Sequence, residues 1–326
     1  MKAVGLFSGG LDSLLAIMLV KEQGIDVTAI SFCSPFFIND EKRKKLEEKA
    51  KQHNFEIKFI ELGSDYIRLV RKPKHGYGKN MNPCIDCHAF MLRKAKEYAA
   101  KTGAGFVFTG EVLDERPMSQ NRKSLDIVEN ESGLKGKLLR PLSAKLLPET
   151  EAEKKKWIDR SRLLGIRGRG RKQQLALARK LGINDYETPG GGCLLTHGEY
   201  SKKLRDLFAH KKRIDKNDLL LLKFGRHFRI GKNKIIVGRN EKDNNEIMKL
   251  KHDSDLVFEA RDFVGPVTIV TGKASQKMVE LAASLTARYS DADEQLVVIR
   301  YGNQNLNKEL AVSKTKNEEI ENFRIR

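Results

Sequence analysis

The sequence predicts an α/β protein, a parallel-sheet domain followed by a smaller α+β domain. Three observations predict it. An apolar strand-like run, AVGLF, is joined by a glycine pair to an apolar helix-like run, LLAIMLVKEQG, and then to a second strand-like run, DVTAISF. At 326 residues the chain exceeds the roughly 100–200 residues that one domain commonly holds. Beyond about residue 208 the long apolar runs give way to short β-branched ones, RIG and IIVG, separated by Gly-Lys-Asn.

The first strand, helix and second strand make a βαβ unit, which implies parallel pairing, and Gly24 ends the helix. Between strand and helix stands SGGLDS, residues 8–13. Glycines there let backbone N–H groups converge, and the helix N-terminus adds partial positive charge, which suits a phosphate. The patterns G-x(4)-G-K-[ST] and G-x-G-x-x-G are both missing, so a P-loop kinase or GTPase and a dinucleotide-binding domain are disfavoured. The plainer alternative is a capped helix start in which Asp12 and Ser13 complement the dipole.

Further along, NPCIDCHAFMLRKA holds Cys84 and Cys87 as C-x-x-C, just ahead of a helix expected from about Ala89 to Ala100. A helix N-terminus lowers thiol pKa and favours metal, so both are expected as reactive thiolates. With His88 the string also reads C-x-x-C-H, the haem-attachment pattern, but nothing resembling an export signal accompanies it. Pro141 and Pro148 mark a turn, and Thr150 with Glu153 fits a capping box opening a new helix, with Trp157 as a packing anchor. Residues 154–180 then carry eleven basic side chains against one acidic, Asp159. That imbalance points to nucleic-acid phosphates, with Arg167, Arg169, Arg171 and Lys172 the candidate contacts; a merely solvated basic face is the alternative. Cys193 follows glycines 190–192, which permit close approach of a cofactor or RNA. The RIG and IIVG runs predict a hairpin leading to a polar helix start at Asp243, and the final charged residues read as a loosely held tail.

Charge agrees with a polyanionic partner. The net charge is +19, and residues 1–150 hold 25 basic and 19 acidic side chains against 37 and 24 in the remainder. No run approaches the roughly 18–20 apolar residues of a membrane span. A cytoplasmic location is expected, where thiols stay reduced and serve as ligands or catalysts before they serve as disulfides. Cys33 has an equal claim to be a small core residue.

SGGLDS resembles the SGGxDS loop of the PP-loop ATP pyrophosphatases, the adenine nucleotide alpha hydrolase-like group. That resemblance implies that Ser8, Gly9, Gly10, Asp12 and Ser13 hold the ATP phosphates with Mg2+, Asp12 being catalytic. It also puts adenine near Phe32 in SFCSPFF and adds Gly110 of TGE to the nucleotide contacts. NPCIDCHAFMLRKA resembles the N-P-C-x-x-C segment of tRNA thiolation enzymes, and TGEVLDERPMSQN the T-G-E and S-Q segment of 4-thiouridine synthases. GRGRKQQLALARKLGINDYETPGGGCLLT is similar to a segment of thiouridylase-like proteins. The stretch over about 215–300 resembles the NFACT-R RNA-binding module, adding Arg226, Arg229 and Arg239 as RNA contacts.

What these resemblances imply is a tRNA uridine thiolase that adenylates a uridine carbonyl with ATP and replaces the oxygen by sulfur, giving 4-thiouridine. Cys84, Cys87 and Cys193 would be catalytic and would hold a [4Fe-4S] cluster with one open iron. Zinc with His88 or His197 as a fourth ligand, or no metal and a persulfide mechanism in a 2-thiouridylase, remain alternatives. So do another pyrophosphatase, such as a lysidine synthetase, and a non-catalytic RNA-binding factor. The sulfur donor, sulfide or a persulfide carrier, and the oligomeric state, a homodimer included, stay open. The expected organisation is a PP-loop domain over 1–150, a basic connecting region over 151–208, an RNA-binding domain over 209–302 and a charged tail over 303–326.

Overall fold

The computed structural model describes residues 1–38, 40–186, 193–315 and 320–325. Two compact units divide the chain, residues 1–196 and 197–326. No helix among the described residues is long and apolar enough to cross a membrane.

The first unit is built on five strands: β1 (Lys2–Leu6), β2 (Asp26–Cys33), β3 (Glu56–Glu61), β4 (Phe106–Phe108) and β5 (Leu138–Leu139). They run parallel in the order β3-β2-β1-β4-β5, with Val4 opposite Thr28 and Val107. Helix α1 (Leu11–Lys21) follows β1 and is apolar almost all round, which fits a helix buried against the sheet. Alternate strand residues Ala3, Val27, Ala29, Phe106 and Phe108 join α1 in one core cluster. Val4, Ile30 and Val107 point the other way and are buried too, so both faces of the sheet are covered. The remaining helices here are α2 (Asp40–Gln52), α3 (Ser64–Arg71), α4 (Cys84–Thr102), α5 (Arg122–Ser132), the short α6 (Glu151–Lys154) and α7 (Lys172–Lys180).

Two sequence expectations change in this unit. Helix α4 begins at Cys84, five residues earlier than expected, so both cysteines lie within its first turns. The connecting region is no separate segment: Ala152, Ile158, Leu163, Ile166, Ala178 and Ile183 belong to the α1 core, and the unit ends at Thr196. The reason is a thin apolar stripe within a strongly basic stretch, where the charges point to solvent and the few aliphatics hold the chain down. Thr150 N–H donates to the Glu153 carboxylate at 2.7 Å, as the capping box requires, and Trp157 packs on the core with Lys155 over its ring.

The second unit has helices α8 (Gly198–His210), α9 (Lys216–Leu221), α10 (Glu241–Leu250) and α11 (Gln276–Arg288). Its strands are β6 (Arg226–Ile230), β7 (Asn233–Val237), β8 (Leu256–Ala260), β9 (Thr268–Val270), β10 (Leu296–Gly302) and β11 (Lys308–Ser313). They form an antiparallel sheet in the order β11-β10-β8-β9-β7-β6. Phe228, Ile235, Phe258 and Ile299 pack against α11, while Ile236, Val257 and Ile269 form a second cluster with Leu221 of α9 and Ile247 of α10. The β6–β7 hairpin is as expected, but α10 starts at Glu241, because Asn240 rather than a later residue caps it by accepting from Asp243 N–H. Residues 303–315 and 320–325 are not a loose tail. β11 pairs along β10, and the Arg229 and Ile325 amides bond Phe323 and His227 carbonyls alongside β6.

A buried charge knot stiffens the first unit between β4 and β5. Arg140, 2% exposed, donates from Nε to Glu111 at 2.9 Å and also bonds Glu129; Glu111 further bonds His88 at 2.7 Å and Thr109 at 3.1 Å. Burial alone would raise the Glu111 pKa, yet Arg140 and then His88 hold it down at about 2. A depressed carboxylate contributes stability above its unfolded pKa and loses it as pH falls through the folded value, here between about pH 5 and pH 2. Arg140→Met should therefore destabilise the protein by about 3–5 kcal/mol at neutral pH, since the buried Glu111 and the half-buried Glu129 both lose their partner. Urea unfolding followed against pH should show the acid limb of the variant flattened, because Arg140 no longer holds the Glu111 pKa down; an unchanged slope would contradict the role given to Arg140.

Candidate active site

The loop after β1 is where the sequence requires it. Phe7 continues the strand by donating to Ile30 C=O at 2.8 Å, and the chain then bends through Ser8, Gly9 and Gly10 into α1. The two glycines do different things. Gly9 has φ +86°, and a Cβ on it would lie 2.4 Å from the Leu46 side chain. Gly10 has ordinary extended geometry and room for a methyl group, and serves as the N-cap of α1. Ser13 Oγ donates to Gly10 C=O at 2.8 Å, which holds the bend closed. Lys49, buried on α2, reaches Gly9 C=O at 3.5 Å from behind.

Asp12 sits in the first turn of α1, and its Oδ1 is buried with no hydrogen-bond partner. Burial raises its pKa, against the nearby Arg171 guanidinium, the Gln174 amide and, more weakly, Arg116. Glu115 is also raised, by burial and then by Asp12 itself. An orphaned carboxylate oxygen among cations beside a phosphate-type loop is the donor set that a hydrated Mg2+ and a polyphosphate would complete. Gly110 comes so close that a Cβ there would lie 2.5 Å from Asp12 C=O and Ser13 N. The TGE loop thus sits directly on the glycine loop. Phe32 is paired with Ile60 inside the sheet and its ring is buried, so a base at this strand end would meet backbone and not the ring.

The three cysteines Cys84, Cys87 and Cys193 are gathered in one neighbourhood. Cys193 arrives there because Leu194 N–H bonds Phe36 C=O at 2.8 Å, Met81 N–H bonds Leu195 C=O at 3.0 Å and the Asn80 amide bonds Thr196 C=O at 2.6 Å. Beneath lies Tyr66, fully buried, with its hydroxyl 3.1 Å from Cys87 Sγ. Asp86 accepts from the Lys74 and His75 amides at 3.0 Å each, fixing the preceding loop to the helix start. The expected thiolates are not found. Burial pushes Cys87 up to about 12 and Cys193 up to about 11, and raises Cys84 despite the opposing charge of Arg116. Desolvation outweighs the helix dipole, whose influence is modest next to full burial of a charge.

Cys33 is buried apart as a core residue and also raised to about 11 by burial. His88, one candidate zinc ligand, is held by Glu111 instead. Among the described residues the group of three metal-ligand side chains with donor atoms all within 4.8 Å is Asp215, Asp218 and His252, not the cysteines. A tetrahedral zinc would bring its sulfurs to about 3.8 Å, given Zn–S near 2.3 Å. The three cysteine sulfurs do not form a group that tight. Glycines 190–192 lie outside the described residues.

The basic candidates separate. Arg169 and Lys172 are exposed, while Arg167 is exposed and ion-paired to Asp114 at 2.6 Å. Arg171 turns toward Asp12 and away from any RNA-facing surface role. In the second unit Arg229 is forked onto Asp206 at 2.8 and 2.6 Å with 16% exposure, so its charge is already compensated inside the domain. Arg226 stacks on Tyr289 at 4.4 Å, and Arg239, half exposed, pairs with Asp243. Arg116 was missed by sequence reasoning although it stands inside the TGE to SQ string. It is exposed, and its charge reaches both Asp12 and Cys84. Gln174 was missed because a single glutamine in a basic helix carries no signal.

The sheet order and the glycine-bent loop after β1 define a PP-loop nucleotide-binding domain. Within that class, residues 1–146 match the family model described as thiamine biosynthesis protein (ThiI), and residues 225–324 match the NFACT protein RNA binding domain. An uncharacterised protein of Methanocaldococcus jannaschii is 32% identical over 112 residues, covering 34% of this chain and 41% of that protein. A probable tRNA sulfurtransferase of Alkaliphilus oremlandii is 29% identical over 143 residues, covering 44% and 36%. The chain thus spans less than half the length of these curated relatives. A crystal structure of a 4-thiouridine synthetase–RNA complex with bound ATP aligns at TM-score 0.36 and 19% identity, over 68% of this chain and 52% of that one.

The close approach at Gly110 is checkable. Gly110→Ala should lower stability by about 1–3 kcal/mol, because two backbones must part, whereas Gly10→Ala should change it by less than about 1 kcal/mol. Thermal unfolding of the two variants measures this, and equal losses would refute the packing described.

Proposed function

We propose that this protein is an ATP-dependent tRNA sulfurtransferase acting in the cytoplasm. The observation that carries the reading is the adjacency of a PP-loop and three half-buried cysteines on one unit, with Arg116 electrostatically in range of both Asp12 and Cys84. The ThiI match over residues 1–146 supports it.

In this reading the uridine O4 attacks the α-phosphorus of ATP and pyrophosphate leaves. Sulfur then attacks C4 and AMP leaves with the former carbonyl oxygen, giving 4-thiouridine. Ser8, Gly9, Gly10 and Ser13 bind the phosphates through loop N–H groups and hydroxyls, and Asp12 would hold a Mg2+ whose charge would offset that of the leaving group. Cys84, Cys87 and Cys193 hold a [4Fe-4S] cluster. When bound, such a cluster supplies a site at which sulfur is kept as a nucleophile. The fit rests on three clustered thiols whose burial disfavours free thiolates, so that a cationic group must balance them if they ionise. Arg116 steadies negative charge between the two halves of the site. RNA contacts fall to the exposed Arg167, Arg169 and Lys172, with Arg226 and Arg239 on the NFACT-R-type unit.

Asp12→Ala should abolish tRNA-dependent AMP formation while tRNA affinity stays within about twofold, since that affinity comes mainly from phosphate contacts elsewhere. AMP release in wild-type protein that tRNA does not stimulate would instead favour a different pyrophosphatase, and no release at all a non-catalytic RNA-binding factor.

Protein prepared without oxygen should be brown, hold about four irons per chain and lose them when any of Cys84, Cys87 or Cys193 becomes Ala, but not with Cys33→Ala. Zinc in their place would make the site structural. Metal-free protein that still thiolates tRNA would point to persulfide transfer, the 2-thiouridylase alternative.

A further inference from the structure

Residues 147–186 lie beyond the stretch matched to ThiI, yet they carry polar groups to the glycine loop. Helix α7 is seated against the α1 core by Ala178, with Leu175, Leu177 and Leu181 packed around it. Gln174 falls on the same stripe as Ala178, one turn nearer the helix start. It is 0% exposed, and neither its amide oxygen nor its amide nitrogen has a hydrogen-bond partner. If packing were its only task, a leucine would fill the position without leaving two polar atoms dry. Arg171, the N-cap of the same helix, likewise has a buried Nε with no partner. Facing both is Asp12, whose Oδ1 is the fourth such atom. A buried polar group without a partner costs about 1–3 kcal/mol, more when charged. Four such atoms on three neighbouring residues describe a place prepared for a polar guest.

We propose that Arg171 and Gln174 complete the nucleotide site, Arg171 forking onto phosphate oxygens of the leaving pyrophosphate and Gln174 holding Asp12 and the water shell of its divalent cation. The ligand class is a nucleoside triphosphate with its divalent cation. Arg171 suits this because a guanidinium presents paired donors that match phosphate oxygens. The basic stretch is thereby divided: Arg169 and Lys172 face outward toward RNA, and Arg171 between them faces inward. The inference rests on the nucleotide-binding half of the function proposed above.

The test uses the full chain, with Mg2+ and an unreactive ATP analogue carrying an α,β-methylene bridge, by calorimetry, and tRNA by filter binding at fixed salt. Arg171→Ala should weaken the analogue by about tenfold or more, as for loss of a charge-assisted contact, with tRNA affinity within about twofold of wild type. Arg169→Ala should show the opposite pattern, and Arg171→Lys should fall between, keeping charge without the fork. Gln174→Leu should melt at or above the wild-type temperature, since it removes two unpaired buried atoms, yet bind the analogue more weakly. Unchanged analogue affinity in Arg171→Ala, or a loss of tRNA binding in its place, would overturn the proposal. So would a Gln174→Leu protein that is less stable but binds normally, because Gln174 would then be purely structural. Binding of an unreactive analogue needs no sulfur and no turnover, so wild-type protein that binds it without ever thiolating tRNA would count against the proposed function and leave this result standing.

Discussion

The whole first unit depends on two backbones meeting with no side chain between them. Adjacent parallel strands β1 and β4 end side by side, and their following loops must occupy neighbouring space. That is possible only because Gly110 brings no Cβ to the Asp12–Ser13 peptide. The order β3-β2-β1-β4-β5 also makes this the point where connections diverge, from β1 to β2 on one side and from β4 to β5 on the other. Open parallel sheets bind ligands at the carboxyl ends of their strands at such a point. Contact between the loops therefore fixes the floor of the site, and residues on either loop inherit their positions from it.

Charge in this unit is of two kinds. Arg140 bridges the carboxylates of Glu111 and Glu129, and His88 is drawn into the same network. Their work is to hold the ends of β4 and β5 and the middle of α4 in register. Arg171, Gln174 and Asp12 are different, because each keeps a buried polar atom that no protein group meets. The unpaired set marks where the molecule expects a ligand, by the logic that perturbed groups gather at functional sites.

Much of this was legible in the sequence. The βαβ opening could be read because AVGLF and LLAIMLV differ in length and are divided by glycine, so periodicity and punctuation agree. The glycine loop and the cysteines were legible as residue types at fixed spacing. What could not be read was the depth of burial. Cys84 and Cys87 sit at a helix start as expected, but nothing local announces that Tyr66 and residues 193–196 will close over them. Arg171 and Arg229 looked like their basic neighbours, since sequence reports a charge without its direction. The chain after 302 was misjudged for a related reason: KELAVS is polar on one side only, as an edge strand is, and its pairing partner β10 supplies the rest.

The backbone clamp on residues 194–196 bears on how the protein assembles. Cys87 and Cys193 are separated by more than a hundred residues, and their meeting is secured by bonds to Phe36, Asn80 and Met81 rather than by local structure. Closing so long a loop is favourable only after the elements that bear the contacts have formed. As the chain leaves the ribosome, the first two cysteines emerge well before the third, and the sheet is complete before any of the clamp exists. Of the contacts around these cysteines, those at residues 194–196 close the longest loop. Until that loop closes, Cys84 and Cys87 lack part of the cover that pushes their pKa up in the finished fold.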